Sequence, residues 1–323
     1  MALLRAFGQI VLGVALASVG TTAFCQQYPD RPVKIVVPFA PGGFTDILAR
    51  VVAQELTRKW GQSVVVENRL GAGGNIAGEF VAKSPPDGYT LLIASITTHG
   101  INPTLYRSMA FDAVKDFEPI ILMVSTPNVL VVNASLPVAT VQDLVSLAKA
   151  DPKRLSYAST GIGSSVHLQA EQFKSTLGIQ MTHIPYKGSS QVLTDLLAGT
   201  VQVCFDNFVF QLPNIKSGRV KALAITSHRR SPLIPDIPTM TEVGVSGFEF
   251  GPWFGLAAPA KTPAAIVNKV NADVNAVLQM TEVQEKLPGA EILGGSPQRF
   301  SSFIKQDISK WGKIVRALDL RVD

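Results

Sequence analysis

The chain has 323 residues, a length that suits two domains of ordinary size. Of these residues 46% are hydrophobic and 16% are charged, which is typical of a folded rather than a disordered protein. Its formal charge is +5, but the basic residues lie singly or in pairs and form no concentrated stripe. A nucleic-acid groove needs such a stripe with interleaved aromatic residues, so we expect no nucleic-acid partner.

The first 25 residues have the three-part layout of a secretory signal peptide. Arg5 supplies a positive charge, residues 6–19 form a largely apolar run, and small residues alternate up to Cys25. That run is shorter than the roughly 20 residues needed to span a bilayer. We therefore expect residues 1–25 to be a signal peptide and the mature protein to be exported. A lipidated Cys25 is the alternative, which the bulky Phe24 disfavours.

From residue 33 onward, short apolar runs alternate with longer amphipathic segments, the pattern of parallel β/α units. The first unit is predicted to contain strands at residues 33–37, 64–66 and 90–94 and helices at residues 45–59 and 75–83. The second unit is predicted to contain strands at residues 129–132, 155–158, 181–184, 201–205 and 220–226 and helices at residues 140–149, 164–176 and 190–198. Cys204 lies in one of these strands and is expected to be buried.

The C-terminal part differs, because two long amphipathic helices follow a strand-like segment at residues 250–258. Pro263 is predicted at the first position of one helix with Thr262 as its cap, and residues 296–297 begin the other helix in the same way. These helices need a sheet to cover, so we expect the chain to return to the first domain. The predicted domains are residues 26–126 with 250–323 and residues 127–249, joined by crossing segments near residues 123–132 and 249–257.

Residues 38–46 form a loop between the first predicted strand and the first predicted helix. Ligands of open α/β sheets bind beyond the carboxyl ends of the strands, and free N–H groups at a helix start favour an anion. Gly42 and Gly43 would let the backbone approach such a ligand closely. The alternative is an ordinary turn in which Thr45 or Asp46 only caps the helix.

A second loop, residues 158–167, again joins a predicted strand to a predicted helix and is rich in serine, threonine and glycine. Together the two loops could hold an anion with hydroxyl and amide donors alone. A turn with Ser164 or Ser165 as cap is the alternative. Ser164 and His167 lie one helical turn apart, so a serine hydrolase is a remote further alternative, although no third catalytic group is identifiable.

The other motifs favour neither a cofactor nor a metal. Residues 71–76 lack the third glycine of the dinucleotide fingerprint, and no histidine lies at metal-ligand spacing from another histidine or a cysteine. We therefore expect no cofactor and no metal. Asp206 is expected either to face a cleft or to form a turn, and Lys187 either to project into a cleft or to lie in a solvated loop.

Several segments resemble a known family when they are taken together. They are YPDRP at residues 28–32, PFAPGGFTD at 38–46, ENR at 67–69, GAGGN at 71–75, PDGYTLL at 86–92, INP at 101–103, HIPYKG at 183–188 and WFGL at 253–256. This pattern resembles the receptors of tripartite tricarboxylate transporters, also called Bug-type periplasmic binding proteins, over essentially the whole mature chain. The resemblance implies an α/β, two-lobed periplasmic-binding-protein (Venus flytrap) fold with two crossing segments, which closes on a small mono-, di- or tricarboxylate.

The resemblance also implies which residues contact the ligand. They are Phe39, Ala40, Gly43, Phe44, Thr45, Asp46, Thr97 and Thr98 in the first lobe, and Thr160, Gly161, Ser164, Ser165, His167, Tyr186, Lys187 and Asp206 in the second. Position 44 is usually small or proline in this family. Phe44 is therefore expected to narrow the pocket or to stack on an aromatic carboxylate.

The resemblance implies a binding protein rather than an enzyme. Its expected partners are a small carboxylate and the membrane permease subunits of a tripartite tricarboxylate transporter. A carboxylate receptor that feeds a membrane histidine kinase is the alternative, and the sequence does not separate the two. A monomer is expected.

Overall fold

The computed structural model describes residues 28–248 and 251–322. The predicted signal peptide, Cys25 and residues 249–250 lie outside this part of the chain. Every element below belongs to the compact unit that begins at Arg31.

Eleven strands occur in the described part of the chain. They are β1 (Val33–Val37), β2 (Val64–Asn68), β3 (Thr90–Ser95), β4 (Phe117–Ser125), β5 (Asn128–Asn133), β6 (Ser156–Ser159), β7 (Thr182–Pro185), β8 (Val203–Asn207), β9 (Val220–Ile225), β10 (Trp253–Pro259) and β11 (Glu291–Ile292).

The helices cover the faces of the sheets formed by these strands. They are α1 (Phe44–Trp60), α2 (Asn75–Ala82), α3 (Asn102–Leu105), α4 (Val141–Ala150), α5 (Ser165–Leu177), α6 (Ser189–Ala198), α7 (Phe208–Lys216), α8 (Ala264–Leu278), α9 (Thr281–Glu285) and α10 (Pro297–Ala317). A short 3₁₀ turn (Ala72–Gly74) precedes α2, and a π-helical turn (Ile96–Ile101) precedes α3.

The first lobe is built on a six-stranded sheet in the order β11-β4-β10-β3-β1-β2. β1 runs parallel to both of its neighbours, with Val36 opposite Glu67 and Leu92. β10 returns from the other end of the chain and pairs antiparallel with β3 and β4. The C-terminal helices therefore pack on the first sheet, as the amphipathic pattern predicted.

The second lobe is built on a five-stranded sheet in the order β7-β6-β8-β5-β9. β6 runs parallel to β7 and β8, whereas β5 runs antiparallel to β8 and β9. Apolar clusters fill both faces of this sheet, and Cys204 in β8 is fully buried, as expected.

Two chain segments connect the lobes side by side. Only Thr126 and Pro127 separate β4 of the first sheet from β5 of the second, and residues 251–252 lead back into β10. Thr126 N donates a hydrogen bond to Pro252 O at 3.0 Å. A Cβ atom at Gly251 would lie 1.8 Å from Thr126 O, so this close approach requires glycine. The expected α/β, two-lobed fold with two crossing segments is confirmed.

The capping residues explain where several helices begin. Thr140 and Asp143 form the predicted capping box of α4, and Ser296 caps α10, with Pro297 in its first turn. The cap predicted at Thr262 is wrong. Pro263 itself occupies the cap position of α8, and Thr262 Oγ1 instead donates to Pro259 O at 2.7 Å.

Candidate ligand-binding site

A cavity of about 60 Å³ lies where loops of the two lobes face each other. This volume exceeds the roughly 10–15 Å³ that a cavity needs to hold one water molecule. Its lining is drawn from both sheets and from the crossing segment: Phe39, Ala40, Gly43, Phe44, Thr45, Ser95, Ile96, Thr97, Asn128, Thr160, Ser165, Val166, Gly188, Ser189, Asp206, Asn207, Pro252 and Phe254.

The loop after β1 brings the start of α1 to the cavity. Gly43 occupies the cap position with an extended backbone, and no side chain caps the helix. The N–H groups of the first helical turn have no intrahelical acceptor and receive none from a capping side chain. They are therefore available to an acceptor in the cavity, which Gly43, Phe44 and Thr45 line.

Asp46 braces this loop from behind and does not line the cavity. Its Oδ2 accepts hydrogen bonds from Gly42 N (2.9 Å) and Arg50 Nε (2.8 Å), and its Oδ1 accepts one from Asn68 Nδ2 (2.9 Å). Burial raises the pKa of Asp46, but these bonds and the charge of Arg50 outweigh it and bring the pKa below its ordinary value. Asn68 also donates to Phe39 O at 2.9 Å. The end of β2 therefore fixes the shape of the first loop.

Two further helices begin at the cavity from the second lobe. Ser164 caps α5 through its Oγ, which accepts from His167 N at 3.3 Å, and the next two residues line the cavity. Gly188 occupies the cap position of α6, again without a side-chain cap, and Ser189 follows it in the lining.

These three helix N-termini determine the electrostatic character of the cavity. Each terminus carries a partial positive charge that stabilises an anion by about 0.3–1 kcal/mol. Among residues 28–248 and 251–322, no lysine, arginine or histidine lines the cavity. A bound anion would therefore be held by amide and hydroxyl donors and by helix dipoles instead of a fixed cation.

His167 supports the second loop from beneath. Its Nδ1 accepts a hydrogen bond from Gly163 N at 3.1 Å, and its ring stacks on His183 with 4.1 Å between ring centroids. His183 Nε2 lies 2.7 Å from Ser159 Oγ. Burial lowers the pKa of His167 and that of His183 to about 4. Because Ser164 Oγ bonds the backbone of His167 and not its ring, the two do not form a nucleophile–base pair.

Asp206 lies at the carboxyl end of β8 and lines the cavity. Of the two positions expected for this residue, facing a cleft or forming a turn, the structure shows the first. Its Oδ1 accepts from Ser189 Oγ (2.7 Å) and Asn207 N (2.8 Å), and its Oδ2 accepts from Gln211 Nε2 (2.7 Å). Burial raises the pKa of Asp206 and the hydrogen bonds lower it only in part, so its pKa lies above the ordinary value.

The remaining wall of the cavity is apolar. The rings of Phe44 and Phe254 pack against each other with 5.1 Å between centroids and a tilt of 55°. Ile96, Val166 and Pro252 complete the apolar lining. Phe44 is only 3% exposed, so it forms part of the packed wall as well as of the cavity surface.

The lobes touch at the rim of the cavity. Ala40 N donates to Lys187 O at 3.4 Å, and Ser190 Oγ donates to Pro41 O at 2.9 Å. A Cβ atom at Gly188 would lie 2.7 Å from the Cβ atom of Ala40. The first loop is therefore in direct contact with the start of α6.

Nine of the sixteen residues proposed from the sequence line the cavity, and seven do not. Those outside the lining are Asp46, Thr98, Gly161, Ser164, His167, Tyr186 and Lys187. Thr98 Oγ1 contacts His99 Nδ1 at 2.9 Å, and Tyr186 OH donates to Asp195 Oδ2 at 2.6 Å. The side chain of Lys187 is exposed, and only its backbone takes part in the rim.

Nine lining residues were not proposed from the sequence. They are Ser95, Ile96, Asn128, Val166, Gly188, Ser189, Asn207, Pro252 and Phe254. Gly188 and Ser189 could have been found, because they end a strand-to-helix loop of the same kind as residues 38–46 and 158–167. Asn128, Pro252 and Phe254 belong to the crossing segments, and only the long-range pairing of strands brings them here.

Within residues 28–248 and 251–322, no group of three or more histidine, cysteine, aspartate or glutamate side chains is placed to hold a metal ion. In the same part of the chain, no helix combines the length and the apolar character needed to cross a membrane.

Comparison with known proteins gives consistent matches over nearly the whole chain. The model of the "Tripartite tricarboxylate transporter family receptor" family matches residues 48–320. Protein BugT of Bordetella pertussis is 38% identical over 311 residues, which cover 95% of this chain and 95% of that protein.

Two solved structures are also similar to this chain over most of its length. The Rhodopseudomonas palustris protein Rpa4515, solved with adipate, has a TM-score of 0.88 at 41% identity and covers 91% of this chain and 99% of its own. MatC from the same organism, solved with bound malate, has a TM-score of 0.85 at 34% identity, covering 89% of this chain and 100% of its own.

Proposed function

Because the chain belongs to the receptor family of tripartite tricarboxylate transporters, we propose that it captures a small carboxylate in the cavity between its lobes and delivers it to the permease of such a transporter. The family consists of periplasmic solute-binding proteins, so the chain is a binding protein and not an enzyme. Residues 1–25 would direct its export.

The proposal is supported by three helix N-termini around a cavity to which the described part of the chain contributes no basic side chain. Two of these helices, α1 and α6, lack a side-chain cap, so their first-turn N–H groups remain available as donors. A carboxylate accepts several such bonds at once, and it is the common chemical feature of adipate and malate, which the two structural relatives hold.

The lobes proposed to close on the ligand are residues 26–126 with 250–323 and residues 127–249. In support, β4 of the first sheet ends at Ser125 and β5 of the second begins at Asn128. Residues 251–252 return the chain to the first sheet next to Thr126. A hinge of two short segments permits closure without rearrangement of either lobe.

Thermal unfolding of residues 26–323 tests whether the protein recognises its ligand through a carboxyl group. Adipate, malate, citrate and benzoate are compared with adipamide, an amine and a sugar. A carboxylate ligand at 100 times its Kd should stabilise the protein by about 2.7 kcal/mol, and adipamide should give no shift. If no carboxylate raises the melting temperature while an amine or a sugar does, the proposed function is wrong.

A further inference from the structure

A buried carboxylate lies in the wall of the cavity that is proposed to receive the carboxylate of a ligand. Asp206 lines the cavity at the carboxyl end of β8 and is 2% exposed. Ser189 Oγ, Asn207 N and Gln211 Nε2 donate hydrogen bonds to it. All three donors are uncharged, and the described part of the chain contributes no basic side chain to the lining. Within that part, the charge of Asp206 is therefore held by hydrogen bonds without a cation in the cavity wall.

Ser189 connects Asp206 to the start of α6. It lies in the first turn of this helix, directly after Gly188, which carries no side-chain cap. Its Oγ donates to Asp206 Oδ1 at 2.7 Å, and both residues line the cavity. Because the first-turn N–H groups of α6 are proposed to hold the ligand carboxylate, that carboxylate would bring a second negative charge close to Asp206.

The hydroxyl groups of the lining do not remove this conflict. Thr45, Thr160 and Ser165 line the same cavity and can donate to a ligand carboxylate, but a neutral donor leaves its charge in place. Two carboxylates that share a buried site disfavour each other's ionised form, and the exclusion of water strengthens the effect. Burial already raises the pKa of Asp206 above its ordinary value, and a neighbouring anion raises it further.

The side chains packed against Asp206 offer no competing site for a proton. Val129 lies opposite it in β5, and Ser189 and Gln211 reach it from α6 and α7. Cys204 lies two residues earlier in β8, and burial together with the charge of Asp206 raises the pKa of its thiol, which therefore keeps its proton.

The other charged and titratable side chains around the two loops make their contacts elsewhere. They are Asp46 with Arg50, Glu171 with Lys174, His167 with His183, Tyr186 with Asp195, and the exposed Lys187. Of the titratable residues in the described part of the chain, only Asp206 lines the cavity.

We propose that Asp206 takes up a proton from solution when a ligand carboxylate binds. The proton forms an O–H bond on the Asp206 carboxylate, so the negative charge that enters with one ligand carboxylate is offset by one proton. The site then holds an anion although the described lining supplies no cation. This inference rests on the proposed function and makes Asp206 the residue that adjusts the charge of the site to the ligand.

The pH dependence of affinity follows from this proton uptake. The complex binds the proton more strongly than the free protein does, so affinity rises as pH falls through the pKa of Asp206 in the complex. The rise ends when pH reaches the lower pKa of the free protein. Whichever of adipate and malate binds residues 26–323 should bind roughly fivefold or more tightly at pH 6.0 than at pH 8.0.

Titration calorimetry measures the proton directly. At pH 6.5, the heat of binding the same probe should differ between imidazole and MOPS buffers, because the proton is released by buffers of different ionisation enthalpy. The difference should correspond to about half a proton or more for each ligand bound. If a probe binds with the same heat in both buffers, the inference is overturned and the proposed function stands. If neither probe binds, the proposed function fails and the inference fails with it.

Asp206→Asn tests whether Asp206 is the group that takes up the proton. The new amide has the shape of a protonated carboxyl group and no charge. Gln211 Oε1 has no partner among the described residues, so the Gln211 amide can turn and accept from the new amide. The variant should bind the probe more tightly than the wild type at pH 8.0, and its heat should no longer depend on the buffer. Weaker binding at both pH values, or proton uptake that persists, would overturn the role of Asp206.

Asp273→Asn is the matched control. Asp273 is another buried aspartate, which accepts from Trp60 Nε1 at 2.7 Å and does not belong to the cavity lining. Its replacement should leave both the tighter binding at low pH and the buffer-dependent heat unchanged. Loss of either in this variant would mean that the proton is taken up outside the cavity, which contradicts the inference. The wild-type measurements need no variant to fold.

Discussion

His99 is a buried titratable side chain that packs among aromatic rings and has one polar contact, between its Nδ1 and Thr98 Oγ1 at 2.9 Å. It is completely buried next to the rings of Phe111 and Phe117, whose centroids lie 6.3 and 4.8 Å from its own. Its Nε2 has no hydrogen-bond partner in the described part of the chain. Burial lowers the pKa of His99 to about 3, so it is neutral in the folded protein at every pH at which the periplasm operates.

The low pKa of His99 predicts a loss of stability in mild acid. The unfolded chain binds a proton near pH 6.5 and the folded chain only near pH 3, so the stabilisation is complete above pH 6.5 and is lost as pH falls through this window. Between pH 7.5 and 5.0, His99 alone should lower the free energy of unfolding by about 2 kcal/mol. Urea unfolding at the two pH values measures this, and His99→Leu should reduce the difference.

The control is His228→Leu, which removes an exposed histidine in place of the buried one. His167 and His183, whose pKa values burial also lowers, add to the wild-type loss and remain in both variants. If His99→Leu and the wild type showed the same pH dependence of stability, the lowered pKa of His99 would not be a cause of the loss.

The position of a site residue relative to the preceding strand explains whether the sequence could predict it. Gly43, Phe44 and Thr45 follow one strand directly, and Thr160 and Ser165 follow another, so the rule for carboxyl ends of strands suffices to find them. His167 lies in the first turn of α5 but points away from the cavity, because its ring stacks on that of His183, which in turn stacks on Tyr157. Side-chain direction in a loop depends on such packing, which a linear pattern does not contain.

At the scale of elements, local alternation predicted the parallel β/α units well because each strand and its helix are adjacent in the chain. β4 was missed because its partners β10 and β11 are far away in sequence, and Pro119 interrupts its pattern. α7 was missed because it is short, begins with three apolar or aromatic residues and contains Pro213. Both elements are defined by tertiary pairing more than by propensity.

The uncapped start of α1 is the element on which ligand capture should depend most. Gly43 has φ −80° and ψ 170°, which suits a capping side chain, and a Cβ atom there meets only ordinary contacts. In Gly43→Asp, the new carboxylate should bond the same N–H groups that a ligand needs. The unfolding free energy without ligand should change by only a few tenths of a kcal/mol. The affinity for the tightest-binding carboxylate should fall at least tenfold.

Titration calorimetry and urea unfolding measure the two effects separately. Gly43→Asn provides the comparison, because asparagine caps the helix without adding charge and should lose less affinity than aspartate. Wild-type affinity in Gly43→Asp would mean that the first turn of α1 does not hold the carboxylate.

For the whole molecule, binding requires that the two lobes approach as closely as they do here. Gly188 in the second lobe lies so near the first that a Cβ atom would stand 2.7 Å from the Cβ atom and 3.2 Å from the N atom of Ala40. Its φ of 164° is extended backbone that any residue adopts, so alanine brings no local strain. Gly188→Ala should therefore leave the ligand-free melting temperature almost unchanged while obstructing closure.

Obstructed closure should lower carboxylate affinity at least tenfold and abolish the ligand-dependent decrease in radius of gyration measured by small-angle X-ray scattering. A smaller cavity in the second lobe alone would give the same loss of affinity, and a double variant separates the two causes. Ala40→Gly removes the opposing Cβ atom from the other lobe, so Gly188→Ala with Ala40→Gly should recover much of the affinity and the compaction. Full affinity in Gly188→Ala alone would show that the ligand binds without this contact, and failure of the double variant to recover would place the obstruction inside the cavity.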